Sequence, residues 1–79
     1  MNQLKATALL EGEALGVRPA ITDYSDASEG VAGFSVHLQG ANLNLAKEVH
    51  TAIQARAIDE NLKVQTKLYP GEIRVYWKV

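Results

Sequence analysis

Seventy-nine residues with a net charge of −1 and no cysteine describe one domain, residues 1–79, too small for a deep active site and without a disulfide, a thiolate metal site or a thiol nucleophile. Hydrophobic residues at 47% and charged residues at 22% exclude wholesale disorder. No apolar run reaches the roughly 20 residues of a membrane span. The short stretch 6–10, ended by Glu11, falls below a signal-peptide core, so no export signal is expected and the expected address is cytoplasmic, away from membranes.

Residues 2–17 read as a helix, because Ala6, Leu9, Leu10, Ala14 and Val17 recur at spacings of three and four. A strand over 5–11 competes, since Ala6, Ala8 and Leu10 also alternate. Pro19 ends either element by disfavouring helical geometry in the residue before it. Residues 20–24 form a short strand candidate, and the polar run 25–30 is a loop. Over 33–39, Phe34, Val36 and Leu38 alternate with Ser35, His37 and Gln39, the pattern of a half-buried strand. These two strands are expected to form a hairpin.

Asn42 or Asn44 can cap a second helix. Leu45, Val49, Ala52, Ile53 and Arg56 share one stripe of it, and Asn61 suits its C-terminal end. The last eighteen residues predict a second hairpin turning at Pro70 and Gly71. Tyr69 pairs with Glu72, and one face stacks Leu68 on Ile73, Thr66 on Val75, Val64 on Trp77 and Leu62 on Val79. The other face sets Lys67 against Arg74, Gln65 against Tyr76 and Lys63 against Lys78, so like charges oppose each other twice. Proline followed by glycine suits a type II turn. Hairpins prefer the primed types, so a longer loop or a bulge near Tyr69 is expected.

The fold class that follows is α+β: a four-stranded, mainly antiparallel sheet with two helices on one face, in the order α-β-β-α-β-β. Its core is expected from Phe34, Val36, Leu38, Leu45, Val49, Ile53, Val64, Leu68, Ile73, Val75 and Trp77.

Charge is segregated along this order. Residues 1–61 carry a net −4, whereas residues 62–79 hold Lys63, Lys67, Arg74 and Lys78 against Glu72 alone, a net +3. Lys63, Lys67, Arg74 and Lys78, with Tyr76 among them, are therefore the candidate site for binding a partner or nucleic acid. Cations on strands also discourage edge-to-edge aggregation, which is the plainer account of the same residues. Asp23, Asp26 and Glu29 offer an acidic rim, or neutralise the cations if Asp23 lies beside Lys63 or Lys67.

Other patterns carry less. Gly30-Val31-Ala32-Gly33 spells the GxxG of KH domains but leads into a strand, without a helix pair or a central cation. Gly12 and Gly16 give a small-xxx-small spacing whose force belongs to membranes. His37 and His50 lack partners at ligand spacing, so no metal or cofactor is expected. Ser35 and His37 lie side by side without a nucleophile elbow, and no enzyme is expected. The functional expectation is a small non-enzymatic binding protein acting on another macromolecule through the open sheet face or the acidic rim, with protein preferred over nucleic acid as partner. A nucleic-acid-binding module is one alternative, and a phage or mobile-element accessory protein that inhibits a host factor is another. Self-association through an open sheet edge would give a homodimer.

Overall fold

A computed structural model describes residues 1–79. Helix α1 spans Asn2–Ala14, strand β1 Arg18–Asp26, strand β2 Val31–Gln39, helix α2 Leu43–Asp59, strand β3 Gln65–Tyr69 and strand β4 Glu72–Lys78. The four strands form one antiparallel sheet in the order β1-β2-β4-β3. The α+β order read from the sequence is thus the observed one. Each hairpin contributes one central and one edge strand, and the contact of β2 with β4 joins the two hairpins.

The open question at the N-terminus resolves as helix, but on a different face. Leu4, Ala8 and Gly12 are the buried positions of α1, while Ala6, Leu9, Leu10 and Ala14 are exposed. Both stripes have helical spacing. The winning one puts the small Ala8 and Gly12 inward, which lets α1 approach α2 and Pro19 closely. Helix α2 follows the expected stripe more nearly: Val49 and Ile53 are fully buried, Leu45 and Ala52 half-buried, and Ala46 and Ala57 join them. Arg56 is exposed and pairs with Glu60 one turn on. Asn42 is the N-cap, its Oδ1 accepting from the Leu45 N–H at 3.0 Å. Asn61, just past the end of α2, takes a left-handed φ of 54°.

Pairing extends β1 beyond 20–24 at both ends, back to Arg18 and into the polar run as far as Asp26, and starts β2 at Val31 rather than Gly33. The terminal hairpin keeps the predicted register, Tyr69 with Glu72 through Gln65 with Tyr76. There is no bulge at Tyr69: Pro70 and Gly71 close a two-residue turn, with Gly71 at φ 71° supplying the positive value that a type II turn needs. At its other end the ladder stops at Gln65. Val64 and Lys63 do not pair with Trp77 and Lys78, and the Val79 N–H donates instead to Gly30 O at 2.9 Å.

One sheet face meets both helices. Phe34, Val36 and Leu38 of β2 and Ile73 and Val75 of β4 are buried there with Leu4, Ala8, Val49 and Ile53. Each of these side chains larger than alanine contributes about 1.5–3 kcal/mol of burial. Val64, Leu68, Leu45 and Trp77 pack against this cluster but stay partly exposed, short of full core residues. Trp77 meets Phe34 edge to face, with ring centroids 6.3 Å apart.

Two features of this packing give measurable consequences. Gly33 lies in register between Tyr24 and Tyr76, and an added Cβ would sit 2.9 Å from Tyr76 Cα. Gly33→Ala is expected to destabilise the fold by about 3 kcal/mol, read from urea denaturation. His50, between α2 and β3, shares a 2.9 Å hydrogen bond with Thr66 Oγ1, and burial holds its imidazole below the ordinary 6.5. The unfolded chain therefore binds the proton first as pH drops through 6.5, and stability falls from there toward the lower folded value. His50→Gln should flatten that decline in denaturation midpoints measured between about pH 7 and pH 5.

Candidate functional site

The second sheet face has no helix over it. Alternation of side chains along each strand decides what it presents. Registers place Tyr24, Gly33, Tyr76 and Gln65 in one row across the four strands and Thr22, Ser35, Arg74 and Lys67 in the next. Ala20, His37, Glu72 and Tyr69 form a third row by the same pairing. The alternation that sends Phe34, Val75 and Ile73 into the core thus obliges Arg74, Tyr76 and Lys67 to face outward.

Within this lattice Arg74 is the hub. Its guanidinium lies 4.8 Å from the ring centroid of Tyr69 and its Nε 2.5 Å from Glu72 Oε2. The hydrogen bond from Arg74 and the charge of Glu72 fix the guanidinium in its protonated form. Lys67 Nζ stands 5.9 Å from the Tyr76 ring centroid. Both cations therefore lie over tyrosine ring faces, a favourable electrostatic contact. Tyr24, 37% exposed as is Tyr69, has its phenol raised above the ordinary 10.0, chiefly by burial, while Arg74 acts in the opposite direction. A shallow depression lined by Tyr24, Glu29, Val31, Lys67, Tyr69, Arg74, Tyr76 and Lys78 runs across these strands.

Lys63 and Lys78 belong to a second place. Where the terminal hairpin splays, Val31, Val64, Gln65, Tyr76 and Trp77 line a groove of about 530 Å³ with the two lysines among its walls and no carboxylate. The expected ladder opposition of Lys63 and Lys78 is corrected accordingly: β3 ends before Lys63, so the two cations border a groove rather than pair across strands. All five residues expected from the sequence sit on or beside the open face. Tyr24 and Tyr69 complete the surface; the parity of Tyr24 with Thr22 and Ala20 was present in the strand expected over 20–24, but only the register that sets Tyr24 opposite Gly33 and Gly33 opposite Tyr76 places it in this row.

The acidic residues divide. Asp23 lies on the helix side of the sheet in register with Phe34 and is ion-paired to Lys5 Nζ at 2.5 Å, so it neutralises a cation of α1 rather than Lys63 or Lys67. Asp26 caps the β1–β2 turn, its Oδ1 accepting from the Ser28 hydroxyl at 2.6 Å and from the Ser28 N–H at 3.0 Å. Of the four terminal cations, Arg74 alone has an intramolecular carboxylate partner. His37 Nδ1 lies 3.7 Å from Glu72 Oε1, and no three His, Cys, Asp or Glu side chains converge as a metal-binding group. No helix is long and apolar enough to cross a membrane.

No known protein-family model matches the chain, and no curated protein matches it in sequence.

Because Arg74 lowers the Tyr24 phenol against burial, Arg74→Met should raise the Tyr24 pKa further. NMR titration of the tyrosine ring carbons reads this directly, and an unchanged Tyr24 would detach it from the Arg74 lattice.

Proposed function

We propose that this protein is a non-enzymatic binding module that docks an acidic segment of another protein on its open sheet face. The observation that carries the reading is the tyrosine–cation lattice. Tyr69 and Tyr76 already have Arg74 and Lys67 against their rings, so the surface offers cations held in place by aromatic rings. Such preorganised Arg and Tyr groups are the usual centres of protein interfaces, and a carboxylate-bearing segment complements their charge. The groove beside Trp77, with Lys63 and Lys78 and no acid, accepts an apolar side chain flanked by carboxylates. Inhibition of a host factor by a mobile-element protein would be one instance of such docking.

A second reading rests on the same tyrosines. Tyr24, Tyr69 and Tyr76 stand on three of the four strands beside Lys67, Arg74 and Lys78, an arrangement able to stack the bases of a single strand and track its phosphates. Stacking on Tyr69 or Tyr76 would have to compete with the cations already there, which places this reading second.

Fluorescence anisotropy separates the two. Peptides rich in Asp and Glu with one aromatic residue should bind, and Arg74→Ala or Tyr76→Ala should weaken them by about 30-fold, the size of a hot-spot loss near 2 kcal/mol. Circular dichroism checks that the variants fold. If instead oligo-dT or oligo-U binds, with affinity falling steeply as salt rises, the nucleic-acid reading replaces the first. Binding of neither class at low salt rejects both.

A further inference from the structure

The outer edge of β1 is the longest unpaired edge in the molecule, nine residues from Arg18 to Asp26. The opposite edge is protected: β3 has five residues, carries Lys67 and ends at Pro70, features that discourage strand addition. The two edges are thus unequal, and β1 is the one equipped to pair.

Ladder parity shows which groups β1 presents. The Val79 N–H donates to Gly30 O, and the Leu38 N–H to Gly71 O, so even-numbered residues of β2 bond toward β4 and odd-numbered ones toward β1. The β1–β2 register pairs odd residues of β2 with even residues of β1. Pro19, Ile21, Asp23 and Ser25 therefore direct their backbone groups outward. Pro19 fits this parity, since the N–H it lacks would have faced the free edge.

We propose that this edge pairs with the same edge of a second copy, antiparallel about a two-fold axis at Thr22, to form a continuous eight-stranded sheet. Charge selects this register from its neighbours. It sets Arg18 opposite the partner's Asp26, and by symmetry Asp26 opposite the partner's Arg18. Neither residue belongs to an ion pair within the monomer. Asp26 gives Oδ1 to its turn, which leaves Oδ2 for the guanidinium. The outward N–H groups of Ile21, Asp23 and Ser25 all find carbonyl acceptors, about six backbone bonds across the junction. Sliding by two residues in one direction carries Arg18 out of register with Asp26 and opposes Asp23 to the partner's Asp23, each carboxylate already engaged by Lys5 of its own copy. Sliding the other way separates Arg18 from Asp26 and carries Ser25 past the end of the partner's strand, opposite Val17. A slip of one residue would set the outward-directed residues of one copy against residues of the other whose backbone groups already bond β2, and the ladder would lack its partners.

Self-pairing is independent of what the open face binds, though it would bring two copies of that face into one surface. The chain has no cysteine, which makes the register directly readable. Thr22 bonds inward to β2, so Thr22 and its symmetry mate form a non-hydrogen-bonded pair with Cα atoms about 4.5 Å apart, inside the range for a disulfide. Sedimentation of the full chain should show twice the 8.6 kDa monomer mass at raised concentration. Thr22→Cys should cross-link on mild oxidation, whereas Ala20→Cys, displaced from its own mate by four residues, should not. Arg18→Glu and Asp26→Arg should each weaken the dimer about tenfold, and an equimolar mixture of the two should recover it as a heterodimer. A monomer at every concentration up to about 1 mM, a dimer indifferent to both charge reversals, or cross-linking at position 20 but not 22 would each overturn the proposal.

Discussion

The antiparallel contact between β2 and β4 is the constraint on which the rest of the molecule depends. Two hairpins separated by a seventeen-residue helix become one sheet only through it, and a lone hairpin is marginal in water. Seven residue pairs form this ladder, from Val31 with Lys78 to His37 with Glu72. Phe34 beside Val75 and Val36 beside Ile73 make the apolar centre against which α1 and α2 pack. On the reverse face the same ladder brings Gly33 against Tyr76, where a side chain on residue 33 would collide with backbone.

That ladder also builds the candidate surface. A β-sheet covered by helices on one side leaves its other side to alternating polar residues, and here the alternation sets tyrosines and cations among small and neutral ones such as Gly33, Ser35, Thr22 and Gln65. Arg74 and Lys67 face each other across β3 and β4, an arrangement that costs energy if the charges are bare. The structure relieves it by spreading the pair apart, with Arg74 over Tyr69 and against Glu72 and Lys67 over Tyr76. The unfavourable pairing legible in the sequence is thus moderated by aromatic rings and one acid, and the remaining positive character is directed at solvent. On the helix side, Lys5, Lys47 and Arg56 stand with Glu11, Glu13, Asp23, Glu48, Asp59 and Glu60, so the two faces of the domain differ in sign.

The edges of the sheet add a second asymmetry. Strand β3 is short and bounded by proline, and the side chains of His50 and Gln54 on α2 reach its Thr66. Strand β1 is long, exposed and flanked by unpaired ions of opposite sign at its two ends. The open face and the free edge meet on β1, where Tyr24 and Asp26 stand on the open face while the backbone groups of Pro19, Ile21, Asp23 and Ser25 point outward.

Local physics in the sequence determined the element order, an asparagine cap for α2 at Asn42 or Asn44, the inward set Phe34, Val36 and Leu38, and the register of the terminal hairpin through Pro70 and Gly71. Each follows from a spacing of two or 3.6 or from the backbone demands of single residues, and such signals need no knowledge of distant chain segments. The buried face of α1 lay beyond that reach, because Leu4, Ala8 and Gly12 form as regular a stripe as Ala6, Leu9, Leu10 and Ala14, and only close packing against α2 and Pro19 prefers the smaller residues. The neighbours of Asp23, the ending of β3 before Lys63, and the gathering of Tyr24 with Tyr69 and Tyr76 were likewise tertiary decisions. They depend on which helices and strands become neighbours in space, contacts between segments separated in the chain that no local pattern encodes.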